Sequence, residues 1–189
     1  RIPRLEFSER KVIGRRALRE IPRGAVINLG IGMPEAIGAV AAEEGKLDRF
    51  TFTVESGPIG GVPASGLSFG CASHPEAIID QPSQFDFYDG GGLDFSALGA
   101  VEIDGAGNVC VHRMAGRLAG VGGFMNIAQT ARKLVFCCSF TAGGLKVGRD
   151  GGELRILQEG RHCKFVERVE EITFDAAGAF ERGQEVLYV

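Results

Sequence analysis

Apolar residues along the first third of the chain recur at two spacings, which predicts helices that alternate with buried strands. Residues 7–21 carry apolar side chains at helical spacing, with Ser8 placed to cap the helix and a PRG sequence that ends it. The apolar run AVINL at 25–29 predicts a strand, and a glycine-containing turn then leads to a second helix over 36–44. The predicted order is therefore helix, strand, glycine loop and helix.

The middle of the chain alternates between strand-like runs and turns. The β-branched and aromatic run FTFTV at 50–54 predicts a strand that stops at Glu55, and the loop sequence SGPIGG follows at once. A short helix, with a capping box between its serine and its glutamate, is predicted at 73–80. Residues 85–94 are predicted to form a strand that runs into three glycines, and residues 101–111 a β-hairpin around the sequence DGAGN.

The last third of the chain begins with a glycine loop and ends in strand-like runs. A short helix is predicted from about residue 126, and a fully apolar strand at 134–140. Residues 144–157 contain a DGG turn between two β-like segments, and residues 164–174 continue the alternation, so both are predicted to be antiparallel pieces. The closing run at 183–189 is predicted to be a strand.

These elements predict the fold class. Strands and helices alternate at the front and hairpins follow, which is typical of an α/β domain with an open, mostly parallel sheet flanked by helices and extended by antiparallel hairpins. No linker or internal repeat divides residues 1–189, so we predict a single domain. Ligands of such sheets bind outside the carboxyl ends of the parallel strands, where Glu55 and the glycine loops are expected to meet.

Charge and composition exclude several classes of partner. The chain has 189 residues, a net charge of −3 and no run of lysine or arginine, so neither a nucleic acid nor an anionic membrane surface is indicated. No apolar stretch approaches the roughly 20 residues that span a bilayer, and the charged first residues do not form a signal peptide. We expect a soluble, cytoplasmic protein.

The cysteines and histidines give no sign of a disulfide framework or a metal site. Five cysteines are an odd number without a CxxC spacing, and two of them are adjacent. The three histidines lie far apart, without the HxH or HExxH spacing of zinc ligands. We predict free thiols and no bound metal.

Glu55 is the most suggestive single residue. A carboxylate at a strand end, among residues with almost no side-chain bulk, leaves backbone N–H groups free and lets a reactant come within bonding distance. A carboxylate nucleophile needs that environment. Residues 50–112 contain no lysine or arginine, so amides or a distant segment must stabilise the charge, or the pKa must rise. The alternative is structural, because the position of Glu55 at a strand end also fits a glutamate that forms a turn or caps a helix.

Two glycine loops offer backbone amides. Gly30 and Gly32 in GIGMPE suggest a dinucleotide fingerprint, but Glu35 replaces the third glycine and would oppose a pyrophosphate, so a tight turn is the alternative. Gly122 and Gly123 lead into a predicted helix, and their amides would point at any occupant of the loop. The alternative there is a turn that needs positive φ.

Six motifs in order carry a resemblance to a known family, and they are NLGIGMPE, TVESGPIGGVPASGLSFG, QFDFYDGGGLD, the GN hairpin, GVGGFMNIAQTARKLVFCCSFTAGGLK and QEG with KFVERVEEITF. From residue 11 to 189 the chain resembles the family I coenzyme A (CoA) transferases, and it is most similar to the fused acetate or propionate CoA-transferase group. The resemblance implies the Rossmann-like, three-layer fold of that family.

The resemblance also implies a chemistry. In such enzymes a glutamate attacks an acyl-CoA, and a mixed anhydride and then a glutamyl-CoA thioester form in a ping-pong reaction. CoA is thus a substrate, and no permanently bound cofactor is expected. By its place in ESGPIGG the glutamate is Glu55, and the oxyanion-stabilising amides match Gly122 and Gly123. The remaining predicted oxyanion or substrate contacts are Asn28, Gly30, Gly32, Ser56 and Gly57.

The resemblance also implies a partner unit and contacts for CoA, and it leaves two alternative functions open. Relatives add an alpha-type half of similar fold, fused or separate, and because the chain starts at Arg1 and ends on a strand-like run, we expect a fragment or subunit of a homo- or hetero-oligomer. Lys146 and Arg117 are assigned to the CoA phosphates by default. The ESG form, rather than ENG, favours short-chain acyl groups. The alternatives are an acyl-CoA hydrolase of the same fold and a non-catalytic partner half.

Overall fold

A computed structural model describes residues 4–114 and 116–189 of the chain. In these residues the α-helices are α1 (Glu9–Leu18), α2 (Glu35–Glu43), α3 (Gln81–Asp89), α4 (Phe124–Thr130) and α5 (Ala176–Glu181), with 3-10 turns at Leu47–Arg49 and Gly66–Ser68. The strands are β1 (Val26–Leu29), β2 (Thr51–Thr53), β3 (Pro58–Ile59), β4 (Val62–Pro63), β5 (Ala72–Ser73), β6 (Ala77–Ile78), β7 (Phe95–Gly99), β8 (Glu102–Asp104), β9 (Val109–Cys110), β10 (Arg113–Met114), β11 (Arg117–Leu118), β12 (Lys133–Cys137), β13 (Thr141–Ala142), β14 (Lys146–Asp150), β15 (Glu153–Gln158), β16 (His162–Cys163), β17 (Phe165–Val166) and β18 (Glu185–Tyr188).

Seven strands form the central sheet, in the order β18-β12-β7-β1-β2-β3-β6. The pairs from β18 to β2 are all parallel, whereas β3 and β6 are antiparallel additions at one edge. The carboxyl ends of the five parallel strands therefore lie along one edge of the sheet. The predicted fold class, an open and mostly parallel sheet flanked by helices, is confirmed.

Side chains that alternate along the central strands fill two separate cores. In β12, Val135 points into the core that α1 and α2 cover, while Leu134 and Phe136 point into the core under α3, α4 and α5. The same alternation in β7 sends Phe95 to the first core and Leu98 to the second. Because both faces are buried, these strands are mostly apolar, as expected of a parallel sheet.

Aspartates start two of the helices. The Asp80 carboxylate accepts a hydrogen bond from the backbone N–H of Ser83 at 3.1 Å, and Asp175 accepts bonds from the amides of Ala177 and Gly178 at 3.2 Å. Ser8 occupies the position before α1, but its side chain makes no capping bond. The helix at 176–181 was not predicted, although Asp175 followed by alanines was its sequence signal.

The helix predicted at 73–80 is wrong. Strand β6 in this segment pairs with β3, and the amide of Ile79 donates to the carbonyl of Gly57 at 3.1 Å. His74 has φ of +55°, which breaks any helix at that point. The segment forms a strand and not the helix that the capping-box pattern predicts, because backbone bonds to the sheet edge satisfy more of its donors and acceptors than one helical turn could.

The strand predicted at 85–94 is also wrong, because the first half of this segment belongs to α3 and the glycine turn follows it. Asp80 caps the helix and a proline occupies its first turn. Tyr88 is fully buried and the half-buried Phe85 packs beside it, three residues earlier on the same face. Helical spacing of these aromatic side chains outweighed their β-propensity, because it puts both against the second core.

The hairpins are a mixed result. β8 with β9 and β14 with β15 form the two predicted antiparallel hairpins. The segment 164–174 was predicted to be antiparallel, which is wrong for its strand β17, which pairs parallel to β8, and right for Phe174, which forms an antiparallel bridge with Val109. The apolar alternation was correct as a strand signal, but it carries no information about direction. Within the described residues, no helix is long and apolar enough to cross a membrane.

Two helical glycines should respond to alanine in opposite ways. A Cβ at Gly14 would lie 2.8 Å from the Cβ and 3.0 Å from the carbonyl carbon of Ala36, because α1 and α2 pack closely there. A Cβ at Gly38 would meet nothing nearer than Leu29 Cδ1 at 3.9 Å. We expect Gly14→Ala to lower the free energy of unfolding by about 1–3 kcal/mol. Gly38→Ala should raise it by up to about 1 kcal/mol through helix propensity.

Denaturant unfolding of both variants measures the difference. A Gly14→Ala protein as stable as the Gly38→Ala protein would contradict this account of the α1–α2 contact.

Candidate active site

Glu55 lies two residues beyond the carboxyl end of β2, in a turn that backbone bonds close. The amide of Val54 donates to the carbonyl of Pro58, and the amide of Gly57 donates to the carbonyl of Val54, both at 2.9 Å. Gly57 has φ of +123°, and a Cβ there would lie 1.8 Å from the carbonyl oxygen of Ile79. Only glycine fits this position, so Gly57 fixes the turn that presents the glutamate.

The loop before α4 meets the Glu55 side chain. A Cβ at Gly123 would lie 2.6 Å from Glu55 Oε2 and 2.6 Å from Phe85 Cζ, so no larger residue fits between them. The Gly123 backbone N–H also faces the Glu55 carboxylate and lowers the pKa of that carboxyl, without the geometry of a full hydrogen bond. Gly122, with φ of +54°, makes the bend that turns this amide inward. The carboxylate and a backbone donor therefore meet in one place.

Burial dominates the electrostatics of Glu55. Removal from water raises the pKa of the Glu55 carboxyl above its ordinary value of 4.5, and the Gly123 amide offsets only part of that effect. No lysine or arginine of the described residues forms an ion pair with it. A carboxylate that is poorly solvated and unpaired is a stronger nucleophile than one in water, because little has to be stripped from it before attack.

An apolar cleft of about 430 Å³ opens beside the carboxylate. Glu55 is its one ionisable lining residue among those described. The other lining residues are Gly30, Ile31, Phe69, Leu98, Gly99, Ala100, Val101, Val111, Gly120, Val121, Gly122, Gly123 and Phe124. The cleft can therefore hold an uncharged, apolar group against the Glu55 carboxylate, with backbone amides as its polar contacts.

Gly30 and Gly32 occupy different parts of this region. Gly30 lines the cleft, its amide donates to the carbonyl of Ala97 at 2.8 Å, and a Cβ there would lie 3.1 Å from Leu98 Cδ2. Its amide is therefore already committed to the sheet. Gly32, with φ of +88°, stands in open space at the start of the loop to α2 and does not line the cleft.

Asn28 and Ser56 flank the cleft without lining it. Asn28 is 1% exposed, and its amide Nδ2 donates to the hydroxyl of Tyr88 at 3.5 Å, below the glutamate. The exposed Ser56 hydroxyl donates to the carbonyl of Gly70, which fastens the glutamate turn to the next loop. In this geometry both residues support the site, and direct contact with a substrate stays a prediction for each.

The two cations assigned to CoA phosphates stand apart from the cleft. Arg117 is exposed on β11, three residues before the cleft-lining Gly120, and Lys146 is exposed on β14. Lys164, which the sequence analysis missed, is half-buried near Cys138, beyond the carboxyl end of β12, and burial lowers its pKa. No pattern around Lys164 in the sequence distinguishes it from a surface lysine.

The sequence analysis also missed the contribution of α3. The Phe85 ring and Glu55 Oε2 both lie next to Gly123, and the Tyr88 ring packs against Phe85. Their three-residue spacing was the available signal, which the strand prediction overlooked. Among the described residues, no group of three or more histidine, cysteine or acidic side chains could hold a metal ion.

Known proteins resemble this chain over nearly its whole length. No family model matches the chain. Acetate CoA-transferase YdiF of Escherichia coli K12 is 49% identical over 185 residues, which cover 98% of the chain and 35% of that protein. The crystal structure of acyl-CoA transferase YdiF from E. coli O157:H7, as a thioester complex with CoA, superposes with a TM-score of 0.90 at 47% identity, over 97% of the chain and 35% of that structure.

A shorter relative shows which part of such enzymes the chain corresponds to. A Bacillus subtilis protein named "Probable coenzyme A transferase subunit beta" is 30% identical over 150 residues, which are 72% of the chain and 68% of the relative. The chain thus spans about a third of the length of YdiF but two thirds of this beta subunit. At these identities and coverages the chain belongs to the family I coenzyme A transferases, as a beta-type unit.

Proposed function

We propose that the complete protein transfers CoA between a short-chain acyl-CoA and a carboxylic acid, with Glu55 as the covalent nucleophile. The observation that carries this proposal is the contact between the Glu55 carboxylate and the backbone of Gly123 at the edge of an apolar cleft. A nucleophile beside a fixed N–H donor is what acyl transfer requires, because each step passes through a tetrahedral oxyanion.

The reaction proceeds through two covalent states of Glu55. A carboxylate oxygen attacks the acyl-CoA carbonyl carbon, and collapse of the tetrahedral intermediate breaks the carbon–sulfur bond. The products are an acyl-glutamyl anhydride and a CoA thiolate. The thiolate then attacks the glutamyl carbonyl of that anhydride, which releases the first carboxylic acid as its anion and leaves a glutamyl-CoA thioester. An incoming carboxylate reverses both steps, so no net proton transfer or bound cofactor is needed.

Residues of this chain supply the environment for those steps. The Gly123 amide is available to a developing oxyanion, an effect worth about 3–4 kcal/mol per donor in other enzymes. Gly122 orients that amide, and Gly57 holds the turn of Glu55. The apolar walls, which include Phe69 and Val121, exclude water from an anhydride that water would destroy.

The proposal includes a partner unit. An alpha-type half, fused or separate, would complete the cleft and supply cations for the CoA phosphates, with Arg117, Lys146 or Lys164 as contributors from this chain. The beta-subunit name of one relative and the 35% share of YdiF that the chain covers support this arrangement. We propose an oligomer that acts in the cytoplasm, with the described chain as one folded domain.

Covalent trapping tests the nucleophile. After the complete enzyme is mixed with acetyl-CoA, intact-mass analysis should show an increase of one CoA less one water, confined on peptide mapping to the peptide that contains Glu55. Borohydride or hydroxylamine should intercept the same adduct, and Glu55→Gln should abolish it, because an amide cannot attack the thioester. An adduct of equal size in the Glu55→Gln protein would sink the assignment.

Acceptor dependence separates transfer from hydrolysis in the same experiment. A transferase releases CoA only when an acceptor acid resolves the thioester, whereas a hydrolase of this fold would release it steadily in buffer alone. A non-catalytic half would form no adduct at all.

Gly123→Ala tests the oxyanion donor. The new Cβ would overlap Glu55 Oε2 and Phe85, so the carboxylate and the amide must separate. We expect kcat to fall by about 100- to 1000-fold, the loss typical of removing one such donor. Gly105→Ala is the matched control, because a Cβ at Gly105, in the β8–β9 hairpin, meets no atom within 4 Å and its φ is ordinary. Equal kcat values for the two variants would refute the role of the amide.

The raised pKa of Glu55 has a consequence for stability. Because the folded protein holds this proton more tightly than the unfolded chain, the stabilising contribution is complete below pH 4.5 and is lost as pH rises through the folded pKa. Relative to wild type, Glu55→Gln should therefore become progressively more stable as pH rises from about 4 to 7. Denaturant unfolding across that range measures the trend.

Glu43→Gln is the control of opposite sign. A hydrogen bond from Lys11 lowers the pKa of the Glu43 carboxyl, so its contribution is present above pH 4.5 and is lost as pH falls. This variant should lose stability relative to wild type as pH rises. Parallel trends for the two variants would contradict the burial of Glu55.

A further inference from the structure

A row of polar side chains crosses the middle of the sheet where an apolar row would be expected. Thr53 of β2, Asn28 of β1 and Ser96 of β7 are direct neighbours in the parallel register. The alternation that sends Phe52 and Ile27 into the core under α1 and α2 turns this row toward α3. None of the three is more than 2% exposed, and none lines the cleft.

Tyr88 of α3 covers this row and is bonded to it. Its hydroxyl donates to Thr53 Oγ1 at 3.0 Å and accepts a longer bond from Asn28 Nδ2 at 3.5 Å. Thr53 Oγ1 in turn donates to the carbonyl of Ile27 at 2.9 Å. One hydroxyl thus connects a helix with two adjacent strands, inside the protein.

The polar row, Tyr88 and Gln84 form a buried cluster, and a gain in folding stability does not explain why its side chains are polar. Within the described part of the chain, Asn28 Oδ1 and both amide atoms of Gln84 are buried and make no hydrogen bond. Gln84 lies near the Tyr88 hydroxyl and affects its pKa, but without good hydrogen-bond geometry. Apolar side chains would avoid the penalty of burying such groups, so a role in the site beside the cluster is the better explanation.

Two routes connect the cluster with Glu55. Along the chain, Thr53 is the last residue of β2 and precedes the glutamate by two positions. Through space, the Tyr88 ring packs edge-on against Phe85, with 5.5 Å between ring centres, and Phe85 occupies the space next to Gly123 and Glu55 Oε2. The negative charge of Glu55 also helps to raise the pKa of Tyr88, which is consistent with their proximity.

We propose that Tyr88 is a positioning residue, whose hydroxyl locks α3 onto the end of β2 and thereby holds the Glu55 carboxylate against the Gly123 amide. The inference rests on the proposed function, because it concerns the geometry of that nucleophile. Tyr88 touches no reacting atom. It acts through Thr53, which sets the position of the strand end, and through Phe85, which limits the space open to the carboxylate.

The test is Tyr88→Phe in the complete enzyme. The ring and its packing on Phe85 remain, and only the hydroxyl is removed. We expect kcat, and the single-turnover rate of glutamyl-CoA thioester formation, to fall about 10- to 100-fold, because a small misplacement of a nucleophile has effects of this size. The KM for acyl-CoA should stay within about twofold, since an interaction that matters only in the transition state lowers kcat and kcat/KM together.

The chain offers a matched control in its other tyrosine. The Tyr188 hydroxyl donates to the carbonyl of Gly107 at 2.5 Å, away from the cleft, so Tyr188→Phe removes the same chemical group from a more exposed bond. It should lower the melting temperature without changing kcat. If Tyr88→Phe keeps kcat within twofold of wild type, or raises KM at unchanged kcat, the proposal is overturned.

Thr53→Val is the second variant. It removes the acceptor of the Tyr88 bond from the opposite side and should reproduce the loss of kcat, even if Tyr88→Phe does not fold. A folded Thr53→Val enzyme with wild-type kcat would also overturn the proposal. Failure of the proposed function is distinguishable from failure of the positioning role. If the proposed function fails, Glu55→Gln still forms the covalent adduct. If only the positioning role fails, Glu55→Gln is inactive, whereas Tyr88→Phe and Thr53→Val are active.

Discussion

The contact between the Glu55 carboxylate and the backbone of Gly123 constrains the rest of the site. It brings the loop after β2 into contact with the start of α4, which is possible only because Gly123 has no side chain. The turn at Gly57 and the bend at Gly122 exist to make that approach, and each needs a backbone conformation that glycine adopts easily. Gly57, Gly122 and Gly123 therefore reflect one geometric requirement.

The same contact sets the electrostatics. A carboxylate without a nearby cation among the described residues is destabilised by burial, and an amide dipole compensates only in part. A full ion pair would hold the charge more firmly, but it would also make the oxygen a weaker nucleophile. A fixed amide can stabilise a carboxylate, an oxyanion and a thioester oxygen in turn without moving. This suits the proposed role of Glu55, whose carboxylate attacks the acyl-CoA and whose carbonyl is then attacked by the CoA thiolate.

The incomplete surroundings of Glu55 agree with the comparisons. The described chain supplies the proposed nucleophile, an amide and apolar walls, while the exposed Arg117 and Lys146 do not line the cleft. The chain covers about a third of the length of one close relative, which leaves ample sequence there for the opposite wall and a phosphate site. In contrast, the hydrogen bonds around Tyr88 are made by residues of this chain, so the proposed positioning of Glu55 is a property of this unit.

The sequence by itself determined the order of most elements and the mostly parallel sheet, and it singled out Glu55 as the candidate nucleophile, because these depend on apolar periodicity and on motifs that are continuous in the chain. It misassigned 73–80 and 85–94, where short-range patterns were outweighed by pairing at the sheet edge and by packing against the second core. Only the tertiary structure brought Gly123, Phe85 and Tyr88 to the glutamate. Their sequence separation from Glu55 ranges from about 30 to 70 residues, and proximity over such separations is set by how strands and helices pack, which local patterns do not encode.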